Sequence, residues 1–213
     1  MKASFTVVSA VAVLCVAPLA GAQEEGGAKG LGKKGNLILG AERLMGYTSN
    51  TQNIEVGGNE AETTYGTLGV LWNQPRSPFN LPRIGIDYFV IDNVSVGGNI
   101  GYVSTSIDAP GNGDDDSSGF LFSPRAGYML GLGESLGFWP RLGLTYYQLQ
   151  DPDASQFALS ADLQIVVAPS PGFAITAGPV VDFGLTGSID TPAGDADYTD
   201  RNFGFVFGIA GVL

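Results

Sequence analysis

The stretch NFGFVFGIAGVL, residues 202–213, decides the fold. Read at every second position, it places Phe203, Phe205, Phe207, Ile209, Gly211 and Leu213 on one face. Asn202, Gly204, Val206, Gly208, Ala210 and Val212 take the other. Successive side chains of a strand point to opposite faces, so this is a strand with one large apolar face and one small-residue face. It runs to the last residue with no polar tail. An unpaired apolar edge at the end of a soluble sheet invites aggregation. The pattern makes sense if the strand closes a barrel and its Phe face meets lipid. The competing reading is a buried edge strand of a soluble sandwich.

Working upstream, the same alternation recurs. Residues 173–189 set Phe173, Ile175, Val181, Phe183 and Leu185 against Thr176, Gly178, Asp182, Gly184 and Thr186. Residues 155–168 set Phe157, Leu159, Leu163, Ile165 and Val167 against Ser160, Asp162 and Gln164. Similar strands are expected over 136–149, 120–132, 94–106 and 83–91. A weaker one over 36–48 carries Arg43 on its apolar face, a blemish that a rim position or a β-bulge would explain. With the terminal strand this makes eight, each near or above the 9–11 residues a tilted strand needs to cross a bilayer.

The links sort into two kinds. Those at 92–93, 133–135 and 169–172 are short; those at 49–81, 107–118, 150–154 and 190–201 are mostly longer and acidic. Short and long alternate strictly, as in an up-and-down barrel with short turns at one end and long loops at the other. Residues 63–72 read as a partial strand or hairpin inside the longest loop. Pro75, Pro78 and Pro82 follow, which no central strand tolerates. The fold class expected is all-β: an eight-stranded antiparallel up-and-down transmembrane β-barrel.

The second face of these strands is mostly Gly, Ser, Ala and Thr. Such residues fit a crowded lumen, and an eight-stranded barrel has an interior just wide enough to be filled by side chains. Near mid-strand this face also carries Glu42, Asp87, Asn99, Arg125, Arg141, Asp162, Gln164 and Asp182. Buried, they must pair and hydrogen-bond. Arg125 and Arg141 fall on neighbouring strands and repel unless carboxylates lie between them. Four acids against two Arg leave uncompensated charge. The network reads either as a polar plug that fixes register or as a narrow ion path.

Residues 1–22 have the form of a Sec-type signal peptide. Lys2 precedes an apolar run from Phe5 to Leu19, and Ala20-Gly21-Ala22 is a small-residue cleavage site. Cys15, the one cysteine, lies in the apolar run and is a poor lipoprotein site. The expected division is a signal peptide at 1–22, a flexible periplasmic leader at 23–35 and a barrel at 36–213. No later run of about 18 apolar residues offers a transmembrane helix.

Lys and Arg number 10 against 21 Asp and Glu, which argues against nucleic-acid binding. The chain has no His, and a processed chain would have no Cys, so His-based triads and thiol chemistry are excluded. No catalytic residue and no cofactor is expected. Asp114, Asp115 and Asp116 form the one weak Ca²⁺ candidate. They lack the ligand spacing of an EF-hand, and a solvated loop is the better reading.

AERLMGYT at 41–48 and PRIGIDYFVIDNVSVGGNIGY at 82–102 give the pattern a resemblance. It resembles the small outer-membrane β-barrels of Gram-negative bacteria, the OmpA transmembrane-domain and OmpX-like superfamily, with the myxobacterial type in view. The resemblance covers about 36–213. It implies an outer-membrane location, outer-membrane lipid and lipopolysaccharide as surroundings, assembly by the barrel-assembly machinery, and a monomer. Chains of this pattern end in Phe, whereas this one ends in Leu213. Enzymes of similar build rely on a catalytic His. The expectation is therefore a non-enzymatic barrel with a filled polar lumen and a structural or surface role through acidic outer loops. The alternatives are a small or gated porin, and a soluble periplasmic barrel binding an apolar ligand.

Overall fold

A computed structural model describes residues 28–70, 77–107, 115–150, 153–191 and 194–213. Residues 1–22, where a signal peptide is expected, lie outside the described residues, as do Cys15 and Asp114. So do the side chains of Asp115 and Asp116.

The described residues open with a single helical turn, α1 (Ala28–Leu31). The strands are β1 (Leu37–Val56), β2 (Asn59–Val70), β3 (Arg83–Ile91), β4 (Val94–Ile107), β5 (Asp115–Tyr128), the two-residue β6 (Leu130–Gly131), β7 (Leu136–Gln150), β8 (Asp153–Ser170), β9 (Phe173–Thr191) and β10 (Gly194–Val212). All pairings are antiparallel. The order β1-β3-β4-β5-β7-β8-β9-β10 closes on itself because β10 also pairs with β1, from Ile38↔Val212 to Glu55↔Asp197. That is a ring of eight strands. The terminal stretch closes it, so its backbone edge is paired and its Phe face can stay outside.

Exposure alternates residue by residue. On β10, Phe203, Phe205, Phe207, Ile209 and Leu213 are exposed, while Asn202, Val206 and Ala210 are buried. The outward apolar belt spans eleven residues along β10 and the residue after it, Phe203–Leu213, and eleven on β8, Phe157–Val167. Lumen-side glycines are forced by close strand approach. A Cβ on Gly178 would lie 2.0 Å from the Leu163 carbonyl oxygen, and one on Gly97 2.1 Å from that of Ile86.

Several outer loops are paired strand. β9 reaches Thr191 and β10 starts at Gly194, with Asp190 facing Asp195. The described part of the stretch 190–201, expected as a loop, is therefore paired strand rising beyond the belt. Likewise β4 and β5 pair up to Ile107↔Asp115. Polar, acidic composition suggests loop, but ladder hydrogen bonds form equally well on a solvated hairpin.

The long link 49–81 differs most from a loop. β1 continues to Val56 and turns through Gly57 and Gly58, both at positive φ, into β2. β2 pairs only with the outer half of β1, from Met45↔Val70 to Val56↔Asn59, while β3 pairs with the inner half, Leu37↔Tyr88 to Glu42↔Arg83. The two share one edge of β1, so the ring keeps eight strands. Among the prolines, Pro78–Asn80 form a 3-10 turn with Pro78 and Phe79 buried. This segment is folded into the mouth of the barrel.

Residues 28–35, expected as part of an unstructured leader, dock under the opposite end. Leu31 is buried with Phe89, Met129 and Trp139. Gly35 N–H donates to the Phe89 carbonyl and Asn93 N–H to that of Gly32. Leu31, between two glycines, supplies the apolar contact of this docking and the backbone hydrogen bonds supply the rest.

Candidate functional site: the filled lumen

The lumen has three layers. At the short-turn end, Leu31, Ile38, Phe89, Met129, Trp139, Val166 and their small neighbours make an apolar floor, with Phe89 stacked on Trp139 at 5.8 Å. At the long-hairpin end, Phe79, Leu121, Tyr147, Ala158 and Tyr198 make a second apolar cluster, with Phe79 edge-on to Tyr147 at 5.3 Å. Charge lies between them.

All eight residues expected in the lumen are there and buried: Glu42, Asp87, Asn99, Arg125, Arg141, Asp162, Gln164 and Asp182. Glu42 is the hub. Arg125 meets it with two prongs, Nη1–Oε2 at 2.7 Å and Nη2–Oε1 at 2.6 Å. Arg141 Nη1 donates to the same Oε1, and Asn99 Nδ2 to Oε2 at 3.2 Å. Asp87 accepts from Arg125 Nε at 3.1 Å and from its Nη2. Carboxylates thus lie between the two neighbouring Arg. Arg141 is also 3.5 Å from Asp162 and stacks over the Trp139 ring at 4.7 Å. Gln164 lines a cavity of about 10 Å³ beside Arg141, Asp162 and Thr176. That volume is close to what one water needs.

Two arginines absent from the expected set complete the layer. The pairing of β1 with β10 slips between Ala41 and Met45, and Arg43 has φ 53°. The bulge turns Arg43 inward beside Glu42, which strict alternation forbids. Its Nη1 donates to Asp182 Oδ2 at 2.6 Å, and its Nη2 to Asp182 Oδ1 at 3.0 Å and Asp162 Oδ1 at 3.2 Å. Arg83, at the start of β3, is 2% exposed. It shares the Phe79 carbonyl with Arg43, at 3.1 and 2.6 Å. The expected charge excess is therefore corrected: Arg43, Arg125 and Arg141 pair with Glu42, Asp87, Asp162 and Asp182, and Arg83, held by the Phe79 carbonyl, brings the buried cations to four. The blemish at Arg43 and the phase of β3 are the sequence signals for the extra pair.

Outward of this layer, Asp200, Asn50, Gln156 and Tyr147 are buried. Tyr147 Oη donates to Gln156 Oε1 at 2.7 Å, which also accepts from Asp200 N–H at 2.9 Å. Among the described residues, no group of three or more His, Cys, Asp or Glu is placed to hold a metal ion.

No protein-family model and no curated protein matches this sequence. Solved structures do. The outer membrane protein OprG from Pseudomonas aeruginosa is similar with a TM-score of 0.53 at 12% identity, over 89% of this chain and 98% of that one. Neisserial surface protein A follows with a TM-score of 0.43 at 13% identity, covering 82% and 96%. The N-terminal β-barrel domain of Pseudomonas aeruginosa OprF gives 0.41 at 15%, covering 81% and 97%. At 12% identity the likeness to OprG shows the fold alone, that of an outer-membrane β-barrel.

Proposed function

We propose that the chain crosses the outer membrane as a closed, non-enzymatic barrel and acts through its outer hairpins. The observation that carries this reading is the neutral ion-paired layer between two apolar clusters, inside a wall whose outward face is apolar. A side chain facing lipid needs no partner, whereas ionised groups at membrane depth need the pairing seen here. An open pore needs a continuous wet path, and the two clusters lie across it. The projecting hairpins carry Glu55, Glu60, Glu62, Asp190, Asp195 and Asp197, mostly exposed. Glu55 faces both Glu60 and Asp197 across neighbouring strands. Like charges so placed favour cationic company, and divalent cations bridging to lipopolysaccharide phosphates suit this surface. The basic Lys33 and Lys34 lie at the opposite end, consistent with that end facing the periplasm.

The test is ionic current across a planar bilayer holding the refolded chain, with Arg125→Ala and Arg141→Ala alongside. A silent bilayer, with insertion verified by a heat-dependent gel shift, supports the closed barrel. Discrete conductance steps altered by either substitution overturn it in favour of a pore.

A further inference from the structure

The segment Ser77–Leu81 is bound like a ligand in the outer mouth. Phe79 is fully buried, and its carbonyl accepts from Arg43 and Arg83. Asn80 Nδ2 donates to Asn50 Oδ1 at 2.8 Å. Ser77 Oγ donates to Asp200 Oδ2. Asp200 differs from the other lumen acids. It is 0% exposed, yet among the described residues no Arg or Lys pairs with it. It lies three positions outward of Phe203, beyond the belt.

We propose that residues 77–81 are a pH-set plug, seated by the Ser77–Asp200 hydrogen bond and unseated as that carboxyl ionises. Seating the segment strips water from a carboxyl that has no cation to replace it. A neutral carboxyl tolerates this, and a charged one does not.

The groups facing Asp200 give the charged form little help. From its own strand comes the Tyr198 phenol, from β7 that of Tyr147, and from β9 the carboxylate of Asp182. Asn50 and Gln52 of β1 and Gln156 of β8 are neutral. Burial pushes the Asp200 carboxyl up to about 7, against the opposing hydrogen bond of Ser77. Facing water with the plug out, it returns to the ordinary value of about 4. The proton is therefore held by the seated state. Seating is strongest below about pH 4, weakens as pH rises, and has lost this contribution above about pH 7. Unseating exposes the aromatic cluster and Arg83 to the outside. The Leu31–Trp139 floor still closes the barrel, so the device works whether or not the lumen conducts.

The test places a thiol on the plug, Leu81→Cys in a Cys15→Ala chain, and follows its reaction with a water-soluble maleimide in lipid vesicles. An exposed reference thiol at the hairpin tip, Asn59→Cys, normalises for thiolate formation. Normalised labelling is expected to rise at least about tenfold from pH 5 to pH 8. Asp200→Asn, neutral at every pH, is expected to abolish the rise, and Ser77→Ala to raise labelling at pH 5. The same series with the thiol at Asn80 guards against a packing defect from the loss of Leu81. Equal protection at both pH values, or an unchanged rise in Asp200→Asn, overturns the proposal.

Discussion

Arg125 and Glu42 face each other as a two-pronged ion pair across the lumen, at 2.6 and 2.7 Å, with both side chains buried. They are 83 residues apart, on β5 and β1. The pair spans the barrel, so it can form only after both strands hold their final register. Breaking a buried pair by removing one partner leaves an uncompensated charge and costs about 3–5 kcal/mol. Glu42→Gln takes away the two-pronged partner of Arg125 and the nearest partner of Arg141, leaving Asp87 and Asp162 to compensate both, so one cation of the layer is in excess; it is expected to lower stability by that order in urea unfolding from lipid vesicles. Arg125→Met in the Glu42→Gln background should recover part of the loss, because the excess cation is gone. A double variant weaker than the sum of the two singles would contradict a shared network.

Arg43 combines two requirements that substitutions separate. Its φ of 53° is a left-handed conformation that costs a non-glycine residue, and its guanidinium holds Asp162 and Asp182. Arg43→Ala loses the cation and keeps the backbone cost; Arg43→Gly loses the cation and removes that cost. Both are expected to destabilise strongly, with the glycine variant less affected by about 1 kcal/mol. Equilibrium unfolding of the two side by side checks the difference.

The wall is more legible in the sequence than its contents, and the reason is physical. Alternation between lipid-facing and lumen-facing side chains is written into every second residue, so the terminal stretch and its counterparts announce a barrel. Arg43 breaks that period, and a bulge is one of its two readings. Its partners Asp162 and Asp182, on β8 and β9, are fixed by barrel closure, which no local pattern encodes. Arg83 opens a strand whose apolar face dominates its pattern, so its inward position does not stand out. The plug at 77–81 lies within a proline cluster, which excludes a strand but does not say that the chain turns inward. The outer hairpins read as loops because their composition is set by water, whereas their pairing is set by the strands below. Leu31 is hidden in a Gly- and charge-rich leader, where one apolar side chain carries no period.

The belt predicts a depth-dependent penalty. Phe207 pairs with Met45 on one side and Ala177 on the other, near the middle of the eleven-residue belt, and Phe203 lies at its outer edge. An Arg on the lipid face costs about 2–4 kcal/mol at the midplane and about 0–1 near the interface. Phe207→Arg should therefore destabilise the vesicle-inserted barrel by several-fold more than Phe203→Arg. Equal effects would mean that these positions do not share a depth gradient, and that the terminal strand does not cross lipid.

The small lumen face predicts the opposite kind of sensitivity, to a single methyl group. A Cβ at Gly178 would sit 2.0 Å from the Leu163 carbonyl oxygen and 3.0 Å from the Gln164 Cα, both backbone atoms that cannot swing aside. Gly178→Ala must push β9 from β8 at the level of the ionic layer, and overpacking of this kind costs about 1–3 kcal/mol or more. Gly133, in the short link before β7, has open space within 4 Å of where a Cβ would stand, so Gly133→Ala is the control. Gly178→Ala is expected to lose the compact, heat-modifiable band on a gel or to unfold at clearly lower urea, while Gly133→Ala stays within about 0.5 kcal/mol of the parent. If both behave like the parent, β8 and β9 do not approach as closely as described, and the lumen has room for water that the closed-barrel reading denies it.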